Sequence, residues 1–114
     1  MEDDPLVIKY LENTLAQKNY NILTAETGQR ARSIFKKHKD NISVLLTDAI
    51  LPDVNGIELA EELQNQKKGL KVILSSGFSR KKALSSKTID SNYRFIQKPY
   101  GIKELLQIMQ DLLN

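Results

Sequence analysis

Short apolar runs alternate with segments of helical spacing along this chain. The strongest runs are residues 44–47 and 70–74, the second broken only by Lys71, and weaker runs occur at residues 22–25 and 93–96. Runs of this length without polar alternation are typical of strands that are buried on both faces of a parallel sheet. We therefore predict four strands at these positions.

Helical spacing fills the chain between the predicted strands. Pro5 suits the first position of a helix, and Thr27 is a common N-cap residue. Residues 79–92 are rich in Ser and Lys and predict one short helix at residues 80–86, followed by a loop. Strands that alternate with helices predict an α/β fold with a doubly wound parallel sheet. The apolar positions of the four main helices are Leu6, Leu11 and Leu15; Ala31, Ile34 and Phe35; Ile57, Leu59, Ala60 and Leu63; and Leu105, Leu106, Ile108, Met109, Leu112 and Leu113.

The composition predicts one domain over residues 1–114. The chain has no Cys, one His and a formal net charge of +3. The missing Cys residues exclude a disulfide scaffold, a thiol nucleophile and a thiolate zinc site, and a single His excludes a His-cluster metal site. No apolar run approaches the ~18 residues of a membrane span, and no signal-peptide segment opens the sequence, so we expect a cytoplasmic protein.

Basic residues are concentrated between residues 67 and 103. This stretch holds ten basic residues and one acidic residue, Asp90. One interpretation is a solvated lysine-rich face, and the other is a docking surface for an acidic partner. Direct contact with nucleic acid is not expected, because aromatic residues are scarce and no helix-turn-helix or zinc-finger pattern is present. The basic residues are Lys67, Lys68, Lys71, Arg80, Lys81, Lys82, Lys87, Arg94, Lys98 and Lys103.

Polar side chains follow the predicted strands at one edge of the sheet, where ligands of open parallel sheets bind. Two carboxylates about 5 Å apart, at an effective dielectric constant of about 20, repel each other by roughly 3 kcal/mol, so a carboxylate cluster must hold a proton or bind a cation. Mg²⁺ commonly binds one or two carboxylates together with phosphate and water. The residues are Asp48, Ser75 with Ser76, Lys98, and the acidic run Glu2, Asp3 and Asp4.

These residue types favour phosphoryl transfer onto Asp48. Aspartate is a known nucleophile that forms aspartyl-phosphates, and Lys98 with Ser76 suits the remaining phosphoryl oxygens. Each residue alone has a simpler interpretation: Asp48 as a turn residue, Lys98 as a surface lysine and Asp4 as a helix cap. Their joint occurrence at successive strand ends favours a phosphoryl site.

At this point the sequence resembles the receiver domain of two-component response regulators over nearly its whole length. Residues 45–56 match the family's strand-Asp-x-x-x-Pro-x-x-x-Gly block, with Asp48 as the aspartate. Residues 72–78 resemble the strand that carries the switch hydroxyl, and residues 95–100 resemble the strand that ends in a Lys-Pro pair. Residues 2–5 resemble the family's acidic pocket. The Ser-Gly-Phe variant is similar to receivers of hybrid histidine kinases.

The resemblance implies a flavodoxin-like, doubly wound parallel sheet with strand order 2-1-3-4-5. It also implies that Asp48 accepts a phosphoryl group from a phosphohistidine of a sensor histidine kinase or a histidine phosphotransfer protein. Asp3, Asp48 and the backbone carbonyl of Ile50 would hold Mg²⁺, and Glu2 would act through a bound water. No activity as an enzyme is implied beyond self-catalysed phosphorylation and autodephosphorylation.

The resemblance further implies a two-state switch. Lys98 would pair with Asp48 before phosphorylation and with a phosphoryl oxygen after it, Ser76 would donate to another phosphoryl oxygen, and Phe95 would turn inward behind it. The readout face of the family consists of the fourth helix, fifth strand and fifth helix. Here that face overlaps the basic stretch at residues 67–103, which favours an acidic partner; the resemblance also suggests a homodimer through this face. The basic residues that we expect on this face are Arg80, Lys81, Lys82 and Arg94.

The sequence departs from the family pattern in two places. Ile50 is apolar where the family often has a side chain that assists hydrolysis, so we expect no such assistance. The first strand of the family is missing ahead of Glu2, and we expect the chain to be an N-terminally truncated fragment of a longer polypeptide. Two alternatives remain. One is a non-phosphorylated receiver-like interaction module with an impaired pocket. The other is a phosphatase or phosphotransferase with an Asp nucleophile, which Ile50 disfavours because such enzymes usually place a second Asp there.

Overall fold

Helices and strands alternate in the part of the chain that the computed structural model describes, which comprises residues 2, 4–18, 20–51, 53–76 and 93–113. The short helix predicted at residues 80–86 lies outside these residues. A single 3₁₀ turn, Lys39–Asn41, follows the second helix. In chain order the main elements are α1 (Pro5–Ala16), α2 (Gly28–His38), β1 (Val44–Asp48), α3 (Gly56–Gln66), β2 (Lys71–Ser76), β3 (Tyr93–Gln97) and α4 (Ile102–Leu113).

The three described strands form one parallel sheet in the order β1-β2-β3. Asp48 at the end of β1 lies opposite Ser75 of β2, and Ser75 lies opposite Ile96 of β3. This order agrees with the last three positions of the predicted order 2-1-3-4-5. The predicted α/β fold with a parallel sheet is confirmed, and the register brings the strand ends together at one edge.

Helices cover both faces of the sheet because the central strand is apolar on both faces. Ile73 of β2 packs in one core with Leu11 of α1 and Leu105 of α4. Leu74, the next residue along β2, packs on the opposite face with Ala60 of α3. Successive side chains of a strand point to opposite faces, so a continuous apolar run buries both. Every helix among the described residues is too short or too polar to span a lipid bilayer.

The helix starts agree with the capping signals in the sequence. Asp4 accepts a hydrogen bond from the backbone N–H of Leu6 at 3.0 Å, directly ahead of Pro5. Thr27 caps α2 in the same way through the N–H of Arg30 at 3.2 Å. Such side-chain acceptors satisfy N–H groups that have no partner within the helix. Asp4 is exposed, and its side chain is a helix cap rather than a part of the carboxylate cluster.

The prediction of a strand at residues 22–25 is wrong, because these residues are irregular in the structure. A strand is stabilised by a hydrogen-bonded neighbour along its length. Among the described residues, the backbone contact of this segment with another part of the chain lies at its end, where the carbonyl oxygen of Ala25 accepts from the N–H of Glu2 at 3.1 Å. High apolar content alone therefore does not make this segment a strand.

A cavity of about 710 Å³ separates this irregular segment from β1. It is lined on one side by residues 20–25 and on the other by Val44, Leu45 and Leu46 of β1. Helices from both layers also border it, so the cavity lies in the plane of the sheet. We call this space the β1 slot; Glu2 lies at its border.

Candidate phosphoryl-acceptor site

The carboxyl ends of the three strands meet at a cluster of charged and hydroxyl side chains. Asp48 ends β1, Ser75 and Ser76 end β2, and Lys98 directly follows β3. The ladder between β2 and β3 continues one residue further, because the N–H of Lys98 donates to the carbonyl oxygen of Ser76 at 2.8 Å. Sheet register thus places three of the predicted site residues at one edge, and Glu2 joins them from the start of the chain.

The ammonium group of Lys98 bridges two carboxylates. Its Nζ lies 2.8 Å from Oδ1 of Asp48 and 2.9 Å from Oε1 of Glu2. The side chains of Asp48 and Glu2 are 8% and 7% exposed, whereas that of Lys98 is 32% exposed. Two buried acids therefore face a single cation, which leaves an excess of negative charge if both are ionised.

Burial and the neighbouring carboxylate raise the pKa of Glu2 to about 7, although Lys98 opposes the shift. Burial by itself would also raise the pKa of Asp48. Hydrogen bonds with Glu2 and Lys98, and a further one from Ser75, outweigh burial and hold that pKa below its usual value. The proton of the pair accordingly resides on Glu2, and Asp48 is the ionised member.

Lys98 and Tyr100 respond to the same charges. Burial disfavours the charged form of Lys98, but its bonds to Asp48 and Glu2 prevail and raise its pKa. Burial, reinforced by the charge of Glu2, raises the pKa of the Tyr100 hydroxyl to about 12. Lys98 therefore stays a cation and Tyr100 stays neutral across the physiological range, so Glu2 is the member of this cluster that changes charge near pH 7.

The raised pKa of Glu2 predicts a stability that falls as pH rises. The folded pKa lies above the ordinary value of 4.5, so the contribution is fully present below that value and is lost as pH rises through about 7. In buffer containing EDTA, the free energy of unfolding should fall by roughly 1–3 kcal/mol between about pH 5 and pH 7.5. Urea denaturation across this range measures the slope.

Glu2→Gln should remove most of this slope because the amide cannot titrate. Glu12→Gln, which alters an exposed carboxylate of α1, should leave the slope in place. A wild-type slope that persists in Glu2→Gln would contradict the assignment of the proton to Glu2.

Ser75 is a partner of Asp48 that the sequence analysis did not assign. Its Oγ donates to Oδ1 of Asp48 at 2.8 Å, and the residue is 1% exposed. Ser76, to which the family resemblance assigns the hydroxyl role, is buried at the end of β2 and lies opposite Gln97. The register Asp48–Ser75 is the signal that identifies the contact, and it becomes available only once the strands are aligned.

The loop after Asp48 is held by its own backbone and by α2. Ile50 and Asn55 form an antiparallel bridge, whose flanking bonds are made by neighbouring residues: Gly56 N–H to Ala49 at 2.8 Å and Leu51 N–H to Val54 at 3.1 Å. These bonds do not use the carbonyl oxygen of Ile50, and the residue as a whole is 63% exposed. The backbone carbonyl oxygen of Ile50, which is the predicted metal ligand, therefore makes neither hydrogen bond of this bridge.

Asp53 ties the same loop to the start of α2. Its two carboxylate oxygens accept from the N–H groups of Gly28 at 2.8 Å and Gln29 at 3.1 Å. The bond from Gly28 is the main reason that the pKa of Asp53 is lowered. Carboxylates are stabilised at helix N-termini by the unpaired N–H groups and the helix dipole. This contact could not be predicted from the sequence, because about 25 residues separate its partners.

The remaining predicted residues differ in how far the structure describes them. Phe95 is half-buried on β3, beside the core that contains Leu74. Arg94 is exposed, and its guanidinium donates to the backbone carbonyl of Tyr93 at 2.9 Å. The predicted metal ligand Asp3 and the predicted partner-binding residues Arg80, Lys81 and Lys82 lie outside the described residues. No group of three or more His, Cys, Asp or Glu side chains placed to hold a metal occurs within the described ranges.

Sequence comparison identifies relatives across the whole chain. A sequence model of the response regulator receiver domain matches residues 1–110. The two-component response regulator ARR12 of Arabidopsis thaliana is 27% identical over 114 residues, and the sensor kinase CckA of Brucella abortus is 23% identical over 114 residues. The chain spans 19% of the first relative's length and 12% of the second's.

Solved structures share the fold. The receiver domain from the hybrid histidine kinase CckA matches with a TM-score of 0.84 at 24% identity, covering 99% of this chain and 94% of that chain. The response regulator TrrA of Thermotoga maritima, solved in complex with Mg²⁺ and BeF, matches with a TM-score of 0.79 at 25% identity, covering 97% of this chain and 93% of that chain. These likenesses confirm the flavodoxin-like fold that the sequence predicts.

Proposed function

Since the chain belongs to the response regulator receiver domain family, we propose that Asp48 accepts a phosphoryl group from a phosphohistidine of a sensor kinase or a phosphotransfer protein. The observation that carries this proposal is an ionised, buried aspartate at a strand end whose Oδ1 lies within 2.8 Å of both Lys98 Nζ and Ser75 Oγ. A receiver domain of a two-component system acts in phosphorelay signalling.

Asp48 is the nucleophile because its carboxylate is kept ionised. The proton that the two buried acids would otherwise share lies on Glu2, so an unprotonated oxygen of Asp48 is available to attack phosphorus. The new bond joins that oxygen to phosphorus while the phosphorus–nitrogen bond of the phosphohistidine breaks, and its electron pair goes to the imidazole. The product is an acyl phosphate on Asp48.

Lys98 balances the charge that the phosphoryl group brings. Its long side chain is about one-third exposed, so the ammonium group has room to shift from Asp48 to a phosphoryl oxygen. A lysine is suited to this task as a compact cation with three donors. Ser76 is proposed to donate to a second phosphoryl oxygen and Phe95 to turn inward, so that the local charge change reaches β3.

The donor set at this edge suits Mg²⁺. Asp48 and Glu2 place buried carboxyl oxygens at this edge, and once Glu2 is ionised the two carboxylates carry one negative charge more than Lys98 balances. Hard oxygen donors of this kind are the ligands that Mg²⁺ prefers. Asp48 and the carbonyl of Ile50 would hold the ion together with Asp3, and Glu2 would act through a water. When bound, the cation neutralises charge on the transferring phosphoryl group. This chemistry supports Mg²⁺ as the cation of the site. TrrA, which shares the fold, was solved with Mg²⁺.

The output is proposed to be a protein contact through the face that contains β3 and α4. Arg94 is an exposed cation on β3, and Arg80, Lys81 and Lys82 add three basic residues between β2 and β3 in the sequence. Charge complementarity favours an acidic partner surface or a second copy that presents acidic residues. Charge reversal at Lys81 and Lys82 should weaken such binding, and unchanged binding to every candidate partner would contradict it.

The phosphoryl-acceptor role is tested by intact-protein mass spectrometry. The folded chain is incubated with Mg²⁺ and acetyl phosphate, and we expect the mass of one phosphoryl group to be gained. Asp48→Asn should gain none, because an amide is too weak a nucleophile to attack the phosphoryl group. Asp40→Asn should behave as the wild type, since Asp40 is exposed in the 3₁₀ turn. No gain by a folded wild type would instead support a non-phosphorylated interaction module.

A further inference from the structure

Ser75 contacts the acceptor carboxylate from inside the sheet. Its Oγ lies 2.8 Å from Oδ1 of Asp48, the same oxygen that lies 2.8 Å from Nζ of Lys98. Ser75 is 1% exposed and stands opposite Asp48 in the parallel register. A short side chain on a buried central strand has little freedom to leave this oxygen, in contrast to the long and partly exposed Lys98.

We infer that the Ser75 hydroxyl speeds the loss of the phosphoryl group from Asp48 by stabilising the carboxylate as it is released. The inference rests on the proposed function, because it concerns the phosphorylated form of Asp48. It assigns control of the phosphoryl lifetime to a hydroxyl on β2, whereas the apolar side chain of Ile50 offers no such control from the loop.

The strength of this hydrogen bond depends on the charge of its acceptor. A bond to an ionised carboxylate is roughly twice as strong as a bond to a neutral oxygen. The carboxyl group of an acyl phosphate carries less negative charge than the free carboxylate. The bond from Ser75 is therefore weaker in the phosphorylated form than in the free form, whichever carboxyl oxygen bears the phosphorus.

Hydrolysis returns this charge to Asp48. A water oxygen forms the new bond to phosphorus, the bond between phosphorus and the Asp48 oxygen breaks, and its electron pair stays on the carboxylate while the water loses a proton to solvent. Phosphoryl transfer passes through a loose transition state, in which the leaving oxygen already carries most of its charge. The bond from Ser75 is stronger there than in the acyl phosphate, and only such a difference accelerates the step.

Phosphorylation should respond differently to the same hydroxyl. Asp48 begins that reaction as a full carboxylate and, in a loose transition state, remains nearly one. The bond from Ser75 therefore changes little between ground state and transition state. This asymmetry separates a leaving-group effect from a general disturbance of the site, which would slow both directions.

The experiment measures how fast Ser75→Ala and the wild type gain, and then lose, the mass of one phosphoryl group. The proteins are phosphorylated with acetyl phosphate and Mg²⁺, desalted into Mg²⁺ buffer, and followed by intact mass. We expect decay to be roughly three- to tenfold slower in Ser75→Ala, and the rate of gain to change by less than about twofold. Ser75→Thr keeps a hydroxyl and should decay as the wild type does.

Thr47→Val is the matched control for loss of a buried hydroxyl. Thr47 is fully buried on β1, and its hydroxyl donates to the backbone carbonyl of Asp48 at 3.0 Å rather than to the carboxylate. This variant should decay at the wild-type rate. If Ser75→Ala proves unfolded by circular dichroism, Ser75→Cys takes its place, because a thiol is a weak donor and should also slow decay.

The outcomes separate this inference from the proposed function. A wild type that gains no phosphoryl mass overturns the proposed function, and the inference falls with it. A wild type that gains the mass, with decay in folded Ser75→Ala as fast as or faster than its own, overturns the inference alone. Decay that is equally slow in Ser75→Ala, Ser75→Thr and Thr47→Val also overturns it, because packing rather than the hydroxyl would then set the rate.

Discussion

Gly56→Ala is expected to abolish the native arrangement of the acceptor loop, with a loss in the free energy of unfolding of about 3 kcal/mol or more. A methyl group on Gly56 would lie 1.7 Å from the backbone oxygen of Asp48 and 2.9 Å from its carbonyl carbon. These atoms belong to the backbone at the end of β1, so no side-chain rotation relieves the contact. The first turn of α3 and the end of β1 would have to separate, and with them the acceptor aspartate.

Gly101→Ala is the control, because nothing lies within 4 Å of a methyl group at that position. Its free energy of unfolding should stay within about 1 kcal/mol of the wild type. Urea denaturation of both variants measures the difference, and intact mass after acetyl phosphate shows whether the site survives. Equal stability of the two variants would contradict the close approach of α3 to Asp48.

The close approach at Gly56 explains why the sequence block around Asp48 is informative. Asn55 caps α3 through the N–H groups of Ile57 and Glu58 at 2.8 and 3.2 Å, and Gly56 follows as the first helical residue. The spacing from Asp48 to Gly56 is thus the length of one tight loop that returns the helix against the strand end. The spacing between Asp48 and Gly56 in the sequence therefore reflects the contact between the backbones of β1 and α3.

Residues at strand ends could be predicted because parallel strands share one carboxyl edge. Asp48 and Lys98 each follow an apolar run that is buried for physical reasons unrelated to the site, and the fold brings them to within 2.8 Å. Ser75 could not be assigned from the sequence, since both Ser75 and Ser76 end the same run. Only the register decides which hydroxyl faces Asp48 at 2.8 Å.

Residues 22–25 show the limit of apolar content as a signal. They are as apolar as residues 93–96, which form a strand, but strand formation depends on a paired neighbour rather than on composition alone. The contact of Asp53 with the start of α2 is a second limit. Its partner lies about 25 residues away, and nothing in either local sequence indicates that the two segments meet.

Filling the β1 slot should stabilise this chain by several kcal/mol. The slot has a volume of about 710 Å³, and its walls include apolar residues of α1, α2 and β1 together with the irregular segment at residues 20–25; polar residues such as Asn41 and Ser43 also line it. In the described sheet, of order β1-β2-β3, the edge of β1 that faces away from β2 has no strand neighbour. An extended apolar segment in the slot would pair with β1 and bury side chains on both faces.

The change is an N-terminal extension of five residues of Val and Ile, joined directly ahead of Met1, because Glu2 lies at the border of the slot. Burial of each such side chain contributes about 1.5–3 kcal/mol, and ordering each residue costs about 1–2 kcal/mol, so the free energy of unfolding should rise by roughly 2–5 kcal/mol. Urea denaturation measures the gain, and hydrogen exchange should slow at Val44, Leu45 and Leu46. A matched extension of Ser and Asn should give no gain, since it has no apolar surface to bury. Equal stability of the two extended chains would show that the slot does not accept an apolar strand.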